Sequence, residues 1–140
     1  MKSGVIEKSS YKKIPFDFVM DYLFSLNPRV KPMFGSYALY VGEKIMLILR
    51  NRKDHAESNG IWIATKSEHH KSLKKEFSSM CSIAIFAEGK GETEWQMIPA
   101  DKDDFESSAV KLCEFIMRGD ERIGRIPKSR KSKKRKPIEN

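Results

Sequence analysis

The sequence predicts an α+β fold of two layers: an antiparallel sheet of about six strands with helices on one face, in the order α-β-β-β-β-α-β-β-α. Three observations carry this. Residues 30–50, VKPMFGSYALYVGEKIMLILR, alternate and reverse twice, which reads as three consecutive strands. Three other stretches repeat apolar residues every three or four positions, the pattern of a one-faced helix. Strands joined by tight turns pair antiparallel, and helices interspersed among them cover a single face.

The first helix is expected to start near Pro15, with Phe16, Val19, Met20, Leu23 and Phe24 on one face and Asn27-Pro28 as its stop. In the strand region Val30, Pro32 and Phe34 alternate with Lys31 and Met33. Pro32 lacks an N–H, so this segment belongs at a sheet edge or strand end. Gly35 reads as a bend or bulge. Tyr37, Leu39 and Val41 share one face, and Ser36, Ala38 and Tyr40 share the other. Gly42-Glu43 suits a type II′ hairpin turn. Residues 45–49 are apolar throughout, as in a strand buried on both faces.

Residues 51–59, NRKDHAESN, have no periodicity and read as a solvated loop closed by Asn59-Gly60. Residues 61–64 form a fourth strand. Thr65-Lys66-Ser67-Glu68 has the spacing of a capping box, and a helix with His70, Leu73 and Phe77 on one side follows. Residues 82–87 and 94–98 read as a hairpin around the turn 88–93, after which Pro99-Ala100 leaves the sheet. The last helix buries Phe105, Ala109, Leu112, Cys113 and Ile116 and ends at Gly119.

Met33-Phe34-Gly35, followed by Tyr37, Leu39-Tyr40, Gly42 and an aliphatic strand, resembles the N-terminal domain of TfoX-type (Sxy) competence regulators. Gly60-Ile61-Trp62, Glu68-His69-His70, Trp95-Gln96, Pro99-Ala100-Asp101 and residues 120–128 resemble a group of small bacterial proteins placed beside that domain. The resemblance spans roughly residues 15–128, and only the hairpin is shared with TfoX itself. It implies a two-layer α+β fold of secretion-chaperone shape, and neither an enzyme nor a set of catalytic residues.

The chain has 140 residues and a net charge of +8. Residues 121–140 hold 9 Lys/Arg and 2 Asp/Glu, leaving 18 basic and 17 acidic residues in 1–120. The basicity therefore belongs to the tail and argues against a nucleic-acid platform on the domain. The expected organisation is a mobile arm at 1–14, one domain at 15–120, and a basic, largely disordered tail at 121–140. Ile123 and Ile126 are expected to dock back, so the free part begins near Lys128. No apolar run approaches a membrane span, and the N-terminus lacks a secretory core. A cytoplasmic location follows, with Cys81 and Cys113 as free core thiols.

Glu68, His69 and His70 do not form a metal helix, because neighbouring histidines point about 100° apart. His55 is a further candidate ligand. Gly89-Lys90-Gly91 lacks the remaining residues of a phosphate loop. Asp101, Asp103, Asp104 and Glu106 read as helix-start acids rather than a calcium loop. No cofactor, metal or catalytic residue is expected.

The expected role is a non-enzymatic interaction or regulatory module with a protein partner. Its working face would carry Tyr40, Met46, Ile48 and Trp62, a face that a homodimer would also cover. Lys128, Arg130, Lys131, Lys133, Lys134, Arg135 and Lys136 are the candidates for non-specific nucleic-acid or acidic-partner binding. A small-ligand or enzyme pocket near Trp62, His69, His70 and Trp95 is the further alternative.

Overall fold

The computed structural model describes residues 14–83 and 94–127. Six strands, β1 (Arg29–Met33), β2 (Ser36–Val41), β3 (Lys44–Arg50), β4 (Gly60–Ile63), β5 (Cys81–Ser82) and β6 (Gln96–Pro99), make one antiparallel sheet in the order β1-β2-β3-β4-β6-β5. Among the described residues three α-helices accompany it: α1 (Phe18–Tyr22), α2 (Ser67–Glu76) and α3 (Phe105–Met117). Helix α2 carries the chain outward past the place that β6 later fills between β4 and β5.

All three helices cover the same face. Val19 and Met20 of α1, Leu73 of α2 and Ala109, Leu112 and Ile116 of α3 share one core with Leu39, Leu47, Leu49, Ile61, Ile63 and Ile98 of the sheet. On the opposite face Ala38, Tyr40, Ile45, Ile48, Trp62, Ala64, Ile83 and Met97 form a second cluster without helical residues. The two-layer α+β arrangement predicted from the alternation of β2 is therefore the one observed. Ile14, assigned to the arm by composition, is buried in the helix-side core.

A bulge decides which face Met46 takes. The β2–β3 register runs Leu39↔Leu47 and then Tyr40↔Ile45, leaving Met46 as the extra residue. Met46 consequently packs with the helix-side core, while Ile45 returns to the cluster of Tyr40, Ile48 and Trp62. Strict alternation had placed Met46 with those three.

Helix α1 starts later than expected. Phe16 has a left-handed φ of 55°, incompatible with a right-handed helix, and its ring meets Phe105 of α3 at 4.9 Å. Phe24 lies in a 3-10 turn and is 72% exposed rather than part of the buried stripe. The capping box also does not form. Ala64 is bonded to Met46 and Gly124, which keeps Thr65 with the end of the β4 segment, and Lys66 takes the N-cap without a side-chain bond. Pro99, expected to leave the sheet, is its last paired residue in β6, opposite Gly60. Of the expected strand 82–87, residues 84–87 lie outside the described residues, as does the turn 88–93.

Beyond α3 the chain returns as a strap. Ile123 is 1% exposed in the core, and Arg125 exchanges two backbone hydrogen bonds with Ile45, where β4 no longer pairs with β3. Asp120 accepts from Arg122 Nε at 2.9 Å and Nη2 at 2.7 Å, and Arg122 Nη1 donates to Ser72 Oγ at 3.1 Å. Residues 121–127, grouped with the tail on charge, are thus tied to β3 and α2. Cys113 is buried, and its thiol is pushed up to about 12 mainly by that burial. Cys81 is exposed rather than in the core. Among the described residues no helix is long and apolar enough to cross a membrane.

Candidate functional site

The connection between β1 and β2 is two residues long, Phe34-Gly35, closed by the pair Met33↔Ser36. Both central residues have positive φ, 51° and 77°, the signature of a type I′ turn. Gly adopts this backbone freely. A bulky aromatic does not, and a non-Gly residue held there costs on the order of 1 kcal/mol. Packing of the ring does not offset that cost, because Phe34 is 93% exposed.

The turn rests on the loop after β3. The Arg52 guanidinium occupies the place where a Cβ on Gly35 would stand. Arg52 is itself fixed. Its N–H donates to Asn59 Oδ1 at 2.8 Å, its carbonyl accepts from Asn59 Nδ2 at 2.8 Å, and its Nε donates to Asp54 Oδ1 at 2.9 Å. That last bond holds the Asp54 carboxyl below the usual carboxylate range.

Arg50 organises the same loop from beneath. It ends an apolar strand and is only 4% exposed, so its charge must find partners inside. Nη1 donates to the His55 carbonyl at 2.9 Å and to Asn59 Oδ1 at 2.7 Å, and Nη2 donates to the Asp54 carbonyl at 2.9 Å. Residues 51–59, read as a solvated loop, are largely exposed and are also wrapped around one buried guanidinium. The available signal was an arginine closing an otherwise apolar strand, with an asparagine nine positions later.

Hairpin tip and loop enclose a cleft of about 360 Å³. Met33, Ile48 and Trp62 supply apolar walls, and Phe34, Arg52 and His55 form much of the rest. Trp62 Nε1 donates to the Ser58 carbonyl at 2.9 Å, which fixes the indole. The arrangement suits an apolar side chain with polar atoms at its margin.

The other expected site residues are dispersed. Tyr40, Ile48 and Trp62 lie in one cluster at 7%, 7% and 8% exposure, with Met46 on the opposite face. Their packed face offers little free surface, and what projects into solvent beside it is Phe34. His55 lines the hairpin cleft, His69 lines a different cavity, and His70 Nε2 donates to the Glu94 carbonyl at 2.7 Å. Trp62 and Trp95 pack on the sheet face opposite α2, so they do not converge with His69 and His70 on a pocket. Asp104 accepts from Ser79 Oγ at 2.6 and 2.7 Å, which commits the helix-start acid to a structural bond. Among the described residues no group of three His, Cys, Asp or Glu is placed to hold a metal. Lys128, Arg130, Lys131, Lys133, Lys134, Arg135 and Lys136, and the loop 89–93, lie outside the described residues.

Comparison with protein-family models, with curated proteins and with solved structures gives no match for this chain.

Proposed function

We propose that this domain is a non-enzymatic docking module that engages a partner protein through the Phe34-Gly35 hairpin tip and the cleft beside it. The observation that carries the reading is Phe34, a fully projecting aromatic in a left-handed backbone conformation. Aromatic side chains, Phe included, are enriched at the cores of protein interfaces. The adjoining cleft gives the partner a reciprocal pocket for an apolar side chain, rimmed by Arg52 and His55. The resemblance of Met33-Phe34-Gly35 to TfoX-type regulators supports a role in transcription control, as analogy of fold rather than of site.

Site-specific photocrosslinking in cells tests this. A benzophenone side chain at position 34 is expected to give a discrete heterologous adduct, absent when the same group stands at Glu43 in the other hairpin. Equal adducts from both positions, or none from 34, would remove the reading. An adduct of twice the chain mass would mean that the partner is a second copy.

The charge of residues 121–140 favours an accessory role in binding nucleic acid. Arg122 and Arg125 are already paired with Asp120 and Glu94. The cations at issue are therefore Lys128 onward. Fluorescence anisotropy with duplex DNA and RNA should show salt-steep binding by the full chain and none by a chain ending at Pro127. Binding retained by the shorter chain would count against the tail.

A further inference from the structure

A second cavity, of about 480 Å³, lies at the other end of the sheet from the hairpin tip, where the start of α2 meets the strap. Three features at its wall are unexplained by the fold. The first is the open start of α2. Lys66 makes no side-chain cap, and its carbonyl accepts from the His69 N–H at 2.9 Å. The leading N–H groups of a ten-residue helix carry partial positive charge and seek an acceptor.

The second is Thr65. It lines the cavity at 0% exposure, and its Oγ1 has no hydrogen-bond partner. A buried hydroxyl in a native fold ordinarily has one. The third is the sign of the surrounding charge. Lys44, Lys66, Arg122 and Arg125 line the same cavity. Arg122 and Arg125 are paired with Asp120 and Glu94, while Lys44 and Lys66 have no ion pair among the described residues. Lysines at the positive end of a helix dipole are mutually unfavourable unless an anion lies between them. Thr65, Lys66 and the open helix start thus each violate a local rule in the same place, and one anion satisfies all three.

The remaining lining groups narrow the ligand. Glu68 and Glu121 are acceptors, suited to hydroxyl groups rather than to a second phosphate. His69 also lines the cavity, with its Nε2 3.4 Å from Glu68 Oε2, and no Phe, Tyr or Trp does so among the described residues. We propose that this cavity binds a small hydroxylated phosphate monoester: the α2 N–H groups, Thr65 Oγ1, Lys44 and Lys66 take the phosphate, and Glu68 and Glu121 take the hydroxyls.

The test is an NMR titration of the isotope-labelled full chain with glycerol 3-phosphate, inorganic phosphate and, as control, glycerol. Glycerol 3-phosphate should saturate, with a Kd of about 1 mM or tighter, shifting the amides of Ser67 and Glu68 most. Lys66→Gln, at an exposed position, should weaken binding about tenfold. Thr65→Val should also weaken it without lowering the free protein's Tm, because the hydroxyl has no partner in the fold. Shifts confined to residues 128–140, or no saturable shift at the α2 amides, would overturn the site. Equal affinity for inorganic phosphate would overturn the roles given to Glu68 and Glu121.

Discussion

The two reversals at the ends of β2 are both two-residue turns, yet they are built differently. At Gly42-Glu43 the glycine alone takes positive φ, at 63°, and nothing lies within 4 Å of where its Cβ would be. That turn obeys every local rule and touches little. At Phe34-Gly35 a bulky residue takes positive φ, its ring stands in water, and Arg52 lies against the glycine. Behind Arg52 stands a buried arginine whose hydrogen bonds shape the loop. One turn only reverses the chain. The other presents an aromatic group on a rigid seat, at a local cost that the fold itself does not require.

The largest expected effect follows from removing that seat. Arg50→Ala leaves the His55 and Asp54 carbonyls and Asn59 Oδ1 without their shared donor. A loss of roughly 3 kcal/mol in unfolding free energy is expected, read by urea denaturation. Amide exchange should accelerate across residues 51–59 and at the Phe34 tip, and not at Gly42-Glu43. Uniform acceleration would mean that Arg50 supports the whole sheet rather than one turn.

Alanine at the two glycines separates conformational strain from crowding. Gly42→Ala meets only the left-handed backbone and should cost about 1 kcal/mol. Gly35→Ala meets the same backbone and must also displace Arg52, so about 2 kcal/mol is expected. Equal losses would show that Arg52 swings away freely and is no seat for the turn.

Phe34 gives the test of function against stability. Asn tolerates the left-handed region, so Phe34→Asn should stabilise the domain by about 0.5 kcal/mol. The same change should abolish the adduct expected at the tip, assayed with the crosslinker moved to Met33. A destabilised variant would place Phe34 among the packing residues of the fold.

The contrast also marks what the sequence could reveal. Period-two alternation in 36–41 and helical spacing in 105–116 reported the layers, because burial of one face is written into composition at regular intervals. The open features depended on single displacements. A one-residue bulge moved Met46 across the sheet. Backbone bonds from Ala64 to Met46 and Gly124 moved the cap position from Thr65 to Lys66. A positive φ at Phe34 turned an expected bend into a turn with a projecting aromatic ring. Arg50 looked like the end of a strand, since two of its three hydrogen-bond partners are backbone carbonyls that no residue pattern records. Both cavities arise where such exceptions accumulate, and periodicity is blind to them.

Acid supplies the smallest effect and separates the tip from the strap. Hydrogen bonding from Arg122 lowers the Asp120 carboxyl from 3.8 to about 2, against the opposing effect of burial. A depressed carboxylate contributes stability that is complete above 3.8 and is lost as the pH falls through about 2. Asp120→Asn should therefore flatten the acid limb of the stability curve between those values, followed by circular dichroism. Asp54, at the tip, is also lowered by its Arg52 hydrogen bond, but its carboxylate is solvated. Asp54→Asn should leave the limb nearly unchanged, because water screens an exposed pair. An unchanged limb in Asp120→Asn would mean that the strap is held by Ile123 and the Arg125–Ile45 backbone bonds alone, with the Asp120–Arg122 pair as a surface ornament of the tail.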